Sequence, residues 1–107
     1  MSSSFGDMGN LLKQAQEMQR ELDRVQRELD EDEVEGSAGA GAVTVGVNGG
    51  GMVTRVELST EALATNDKAM LEDLILSALR DGIARAQKLR QERLSKITGG
   101  LNLPGLS

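Results

Sequence analysis

The sequence predicts an α+β fold in the order α-β-β-β-α: a long helix, a small three-stranded antiparallel sheet, and a second long helix. Three observations predict it. Apolar residues recur every three or four positions from Asp7 to Glu31, every second position from Val34 to Ser59, and again with helical spacing beyond Asn66. Glycines cluster at the joints of the middle segment, at Gly39, Gly41 and Gly49 to Gly51. The length of 107 residues leaves room for one small domain, so 1–107 is read as a single unit.

The first helix is expected over 7–31. Met8, Leu11, Ala15, Met18, Leu22, Val25 and Leu29 are spaced 3, 4, 3, 4, 3, 4, an unbroken heptad seam that Leu12 widens near its start. Asp7 suits the positive end of the helix dipole. The acidic run Asp30 to Glu33 suits the other end badly and is expected to mark fraying and exit.

A meander is expected over 34–59. A short strand near Val34–Ala38 comes first. Val43, Val45 and Val47 then share one strand face, with Thr44, Gly46 and Asn48 on the other. Asn48-Gly49-Gly50-Gly51 is a turn signal. After it Met52, Thr54, Val56 and Leu58 alternate with Val53, Arg55 and Glu57.

The second helix is expected over 67–96, with Thr65 or Asn66 as N-cap candidates. Met70, Leu71, Leu74, Ile75, Ala78, Leu79, Ile83, Ala86 and Leu89 form its apolar stripe. Gly82 interrupts the stripe at a cost of about 1 kcal/mol relative to Ala, tolerable where another backbone packs close. A flexible tail is expected over 99–107.

Helices of this length run to about 37–42 Å, whereas strands of about six residues cover about 20 Å. Both helices therefore overhang the sheet. Hydrophobic residues make up 38% of the chain, lean for a self-sufficient monomer of this size, so a second copy is expected to complete the core. Leu11, Met18, Leu22, Val25, Leu29, Leu74 and Leu79 are the candidate packing residues for helix pairing within or across protomers.

Composition excludes much chemistry. With no cysteine and no histidine, thiol nucleophiles, imidazole bases and thiolate or imidazole metal sites are out. One aromatic residue, Phe5, makes no stacking platform for single strands. The carboxylates near Asp30 to Glu35 do not match calcium-loop spacing. Both glycine clusters run into strands and lack the lysine of a phosphate-binding loop. No catalytic residue, cofactor, metal or small-molecule substrate is expected, and the chain is read as a non-enzyme. The start lacks the pattern of a signal peptide, and no apolar run approaches a membrane span. A soluble, cytoplasmic protein without membrane contact is the expectation.

The formal charge of −5 is polarised along the chain: −6 over 1–35, −3 over 36–84 and +4 over 85–107. Arg85, Lys88, Arg90, Arg93 and Lys96 form a basic helix end, favourable beside the negative end of the helix dipole. On the first helix Lys13, Arg20, Arg24 and Arg27 fall on one narrow stripe opposite the Leu11–Leu22–Leu29 seam. One reading is a solvated face with pairs such as Asp23–Arg27 and Arg24–Glu28. The other is a DNA-binding surface, doubled in a dimer.

MGNLLKQAQEMQREL at 8–22, VEGSAGAGAVTVGVNG at 34–49, RVELS at 55–59, MLEDLILSAL at 70–79 and GLNLPG at 100–105 together resemble the YbaB/EbfC family of bacterial nucleoid-associated proteins. The resemblance implies an α-β-β-β-α protomer and a homodimer whose long helices project like tweezers. It also implies binding to double-stranded DNA in the nucleoid. No base-reading motif comes with it, so the nine basic residues above are candidates for phosphate contact. The rival expectation is a coiled-coil adaptor with a protein client and little intrinsic DNA binding, consistent with the acidic charge and the heptad seam.

Overall fold

The computed structural model describes residues 3–99 of the chain, with side chains placed over 8–97. In chain order the elements are α1 (Ser3–Glu31), β1 (Glu33–Ala38), β2 (Val43–Asn48), β3 (Val53–Leu58), α2 (Thr60–Ala64) and α3 (Lys68–Gly99). Of the tail expected over 99–107, Gly99 is the last residue of α3, and the rest lies outside the described residues.

The strands form one antiparallel sheet in the order β1-β2-β3. Val45 sits opposite Gly36 on one side and Val56 on the other. Val43, Val45 and Val47 all point to the face covered by α3 and are fully buried. Ala78 and Ala86 of α3 complete that core, with Leu74, Ile75 and Leu79 packed at its margin.

Two glycines bring α3 onto the sheet. A Cβ on Gly36 would come within 2.5 Å of Gly82 Cα and 2.6 Å of the Ala78 carbonyl oxygen. A Cβ on Gly82 would meet a methyl of Val45 and one of Val47 at 2.8 Å. Gly82 thus marks the helix turn that rests on the sheet, where β1 backbone and α3 backbone touch. Asp81 strengthens the junction by accepting the Ser37 N–H at 3.0 Å. That bond, and then Arg85 beside it, holds the Asp81 carboxyl below the ordinary carboxylate range.

The C-terminus of α1 is closed from a distance. The Gly49 N–H donates to the carbonyls of Leu29 (2.7 Å) and Asp32 (3.0 Å), and Asn48 Nδ2 donates to the Asp30 carbonyl at 3.3 Å. Asn48 Oδ1 meanwhile accepts from the N–H groups of Gly50 and Met52. The β2–β3 turn therefore satisfies helix-end carbonyls that have no partner within the helix. Asn48→Ala removes three hydrogen bonds and is expected to cost about 1–3 kcal/mol, read as a lower urea midpoint with unchanged slope.

Four features differ from expectation. The acidic run marks the exit of α1, which ends at Glu31, but does not fray: the turn just described closes the helix end, and Asp32 and Glu33 are tied to Arg93 and Arg55. In β3 the pairing shifts at Thr54, so Gly46 faces Arg55 but Val47 faces Val53. This bulge moves Val53 to the apolar side with Val56 and Leu58, breaking the strict alternation. The cap of α3 is Asp67, whose Oδ1 accepts the Met70 N–H at 3.1 Å. Thr65 is occupied with the Ala62 carbonyl, and Asn66 adopts φ 52° in the connection. Finally, residues 60–64 form the separate short helix α2, with Ser59 Oγ accepting the Ala62 N–H.

α3 is a rail about 48 Å long. Its first part carries the sheet, and its last turns carry the C-terminal half of α1, which runs antiparallel to it through buried Val25 and Leu29. The N-terminal half of α1 continues past the end of α3, where Met8, Leu11 and Leu12 are exposed. The radius of gyration is 21.0 Å, against about 13 Å for a compact chain of this length, so the overhang is a projecting arm.

Candidate nucleic-acid interface

Because Val25 and Leu29 seat α1 on α3, the opposite face of α1 turns outward. Lys13, Arg20 and Arg27 lie along it, exposed, at seven-residue intervals. These steps are about 10.5 Å each, giving a row about 21 Å long. Among the described residues none of the three is in an ion pair.

The other helix-one candidate behaves differently. Arg24 is gripped by Glu21 through both guanidinium and carboxylate forks, and its Nη1 lies 2.6 Å from Glu28 Oε1. The hydrogen bond from Arg24 lowers the Glu21 pKa, and the same bond raises that of Arg24. Of the two pairs expected on a solvated face, Arg24–Glu28 is present. Asp23 instead accepts from Gln19 Nε2 at 3.0 Å, and no Asp23–Arg27 bridge is among the ion pairs of the described residues.

The basic end of α3 does not form one face. Arg85 and Lys88 flank β1 beside Val34 and Glu35, and Arg85 is bonded to Asp81 at 3.1 Å. Arg90 stands by the Gly49–Gly50 turn. Arg93 and Lys96 turn toward α1. Arg93 is tied to Asp32 at 2.6 Å and lies 3.9 Å from Glu28, fastening the root of the arm. Lys88, Arg90 and Lys96 are exposed and, among the described residues, outside every ion pair.

Between α1 and α3 runs a groove of about 580 Å³ with Met18, Val25 and Ile97 at its base and Glu17, Glu21 and Glu28 along one wall. These carboxylates stand next to the outward cation row on the helix surface. Glu17, Glu21 and Glu28 thus lie on the α3 side of the arm, while the exposed Asp23 and Glu31 share the outward side with the cation row.

The packing candidates divide in the same way. Val25 and Leu29 are buried, Met18, Leu22, Leu74 and Leu79 are half-buried, and Leu11 is 63% exposed. Sequence reasoning missed the most distinctive apolar surface. α3 covers β1 and β2 but leaves the same face of β3 open, with Val53, Val56 and Leu58 at 40%, 49% and 36% exposure. Leu76 and Ile83 of α3 are exposed as well. Alternation in β3 was the available signal for Val56 and Leu58, but it puts Val53 on the other face and does not show what covers either one.

The opposite face of the sheet is polar. Arg55 reaches across β2 to Glu33 at 3.0 Å and lies 3.1 Å from Glu57. Gly46 leaves the space, since a Cβ there would collide with Glu33. The Thr54 hydroxyl and then Arg55 lower the Glu33 pKa. Among the described residues no helix is long and apolar enough to cross a membrane.

The profile of the YbaB/EbfC DNA-binding family matches residues 5–101. A protein of Alkaliphilus metalliredigens (strain QYMF) named nucleoid-associated protein is 41% identical over 100 residues, covering 94% of this chain and 88% of its own. One of the same name from Acetivibrio thermocellus is 46% identical over 102 residues, covering 94% and 90%. The crystal structure of an uncharacterized protein from Helicobacter pylori superposes with a TM-score of 0.71 at 24% identity, over 86% of this chain and 94% of that one. That likeness establishes the shared fold.

Proposed function

The chain belongs to the YbaB/EbfC DNA-binding family, and from that premise we propose that it acts as a homodimeric nucleoid-associated protein that grips double-stranded DNA between its arms. The observation that carries the reading is the outward row Lys13, Arg20 and Arg27. An acidic chain keeps three cations in register on a projecting helix, with no carboxylate partner among the described residues. Each is placed to neutralise a phosphate and release its counterion. Lys88, Arg90 and Lys96 add contacts on the flanks of α3. Contacts of this kind position a protein on the duplex without reading sequence.

The second copy belongs on the open half of the sheet. Val53, Val56 and Leu58 continue the face that buries Val43, Val45 and Val47, and a twin seated there would extend the same core. The union gives two arms and doubles the row.

Six such cations on six phosphates make affinity fall by about a thousandfold between 50 and 200 mM salt. The test is a titration of a random-sequence duplex by fluorescence anisotropy. The Lys13→Gln, Arg20→Gln, Arg27→Gln variant should keep its helical content and its size but lose the share of the salt slope that the row supplies, about five log units per log unit of salt for six phosphates. An unchanged slope would place the contacts elsewhere. Failure of the unaltered protein to bind duplex at 50 mM salt would leave the adaptor reading in its place.

A further inference from the structure

Arg24 occupies the same stripe as Lys13, Arg20 and Arg27, within about 20–60° of each around the helix axis. A duplex lying on that stripe would come within its reach. Yet Arg24 differs from its neighbours in being held on both sides: Glu21 one turn before and Glu28 one turn after. Both carboxylates belong to the wall of the α1–α3 groove, so the grip draws the guanidinium off the outward line toward α3. All three side chains remain about half exposed, which keeps the contact reversible.

We propose that Glu21 and Glu28 act as built-in counter-anions that withhold Arg24 from DNA, so that the arm binds below the strength its cations allow. The proposal rests on the DNA-binding reading above and names a regulation of that same surface. Two features make the device effective. Arg24 is engaged by a fork-to-fork contact with Glu21, the stronger geometry for an arginine–carboxylate pair. Losing one carboxylate also leaves the other in place, so both must be neutralised before phosphate competes freely. Arg93 stays fastened in that case, because its near partner is Asp32 rather than Glu28. The root of the arm is therefore preserved while its middle is released.

The consequence is non-additivity. While Glu21 and Glu28 are present, Arg24 contributes little to binding. Once both are neutralised, it becomes a full contact. Removing negative charge from the arm also strengthens binding through the general field, but that part does not depend on Arg24. Only coupling between the sites separates the two effects.

Four full-length proteins are compared by anisotropy on a 30-base-pair random duplex across a salt series: the unaltered chain, Arg24→Gln, the double variant Glu21→Gln with Glu28→Gln, and the triple combination. Glutamine preserves length and helix propensity. Circular dichroism and sedimentation check that fold and association are retained. Arg24→Gln alone is expected to cost at most about twofold. The double variant should bind about tenfold more tightly, with a salt slope steeper by about one per engaged arm. Adding Arg24→Gln to it should remove most of the gain and restore the shallower slope. An equal cost of Arg24→Gln in both backgrounds, or no gain in the double variant, would overturn the proposal while leaving DNA binding intact. Absence of binding by all four proteins would overturn both.

Discussion

Gly36→Ala is expected to destabilise the protomer by about 3 kcal/mol or more, lowering Tm by roughly 12 °C or more in a thermal melt followed at 222 nm. The added methyl would sit 2.5 Å from Gly82 Cα and 2.6 Å from the Ala78 carbonyl oxygen. These are main-chain atoms of α3, with no rotamer to yield. Relief requires lifting α3 from the sheet, which also loosens Ala78 and Ala86 from Val43, Val45 and Val47 and breaks the bond from Ser37 to Asp81. Gly9→Ala is the matched control. Its Cβ meets nothing within 4 Å, and an exposed helical glycine replaced by alanine is neutral or gains up to about 1 kcal/mol. Equal melting of the two variants would show that the strand and helix backbones are not in contact.

The same junction shows how much of this molecule is legible in its sequence. The heptad spacing of α1 and the valine alternation of β2 are local regularities, and each names its element and buried face. Gly82 stood out as a break in an apolar stripe. Its partner Gly36 did not, because a close approach between residues 46 positions apart leaves no periodic trace. The bulge at Thr54 was illegible for a related reason: it is a mismatch of register, and register exists only between paired strands. The short helix α2 is too brief to show a period. Asp67 displaces the expected caps because Thr65 is committed to closing α2.

The candidate interface divides along the same line between local and distant. The outward stripe on α1 follows from helical geometry alone, and so does the Arg24–Glu28 pair. The Arg93–Asp32 contact spans 61 residues and follows from neither. Once it forms, part of the acidic run beside α1 becomes an attachment point for α3. Asp32 and Glu33 are bonded to arginines within the protomer. Net charge is therefore a poor guide to what the arm presents, because part of the negative charge is matched internally and the outward row, among the described residues, is not.

Val56→Glu is expected to yield a folded monomer of about half the unaltered mass in sedimentation, with duplex affinity lower by a hundredfold or more. Val56 is 49% exposed on the open half of the sheet, so a carboxylate there has water beside it in the isolated protomer. Far-UV circular dichroism should therefore barely change. In the proposed dimer the same carboxylate would be buried without a partner, against the apolar face of a second sheet, at a cost of several kcal/mol. Separation of the copies leaves each with one arm and three outward cations. Two arms on one duplex bind with an effective concentration fixed by their spacing, and losing that linkage forfeits affinity without removing any single contact. Val56→Ala shortens the side chain without adding charge, and should weaken association while leaving arm contacts untouched. A Val56→Glu protein that remained dimeric would seat the second copy elsewhere, most directly on the exposed seam of α1 at Met8, Leu11 and Leu12. A monomer that bound DNA as tightly as the unaltered protein would show that one arm suffices.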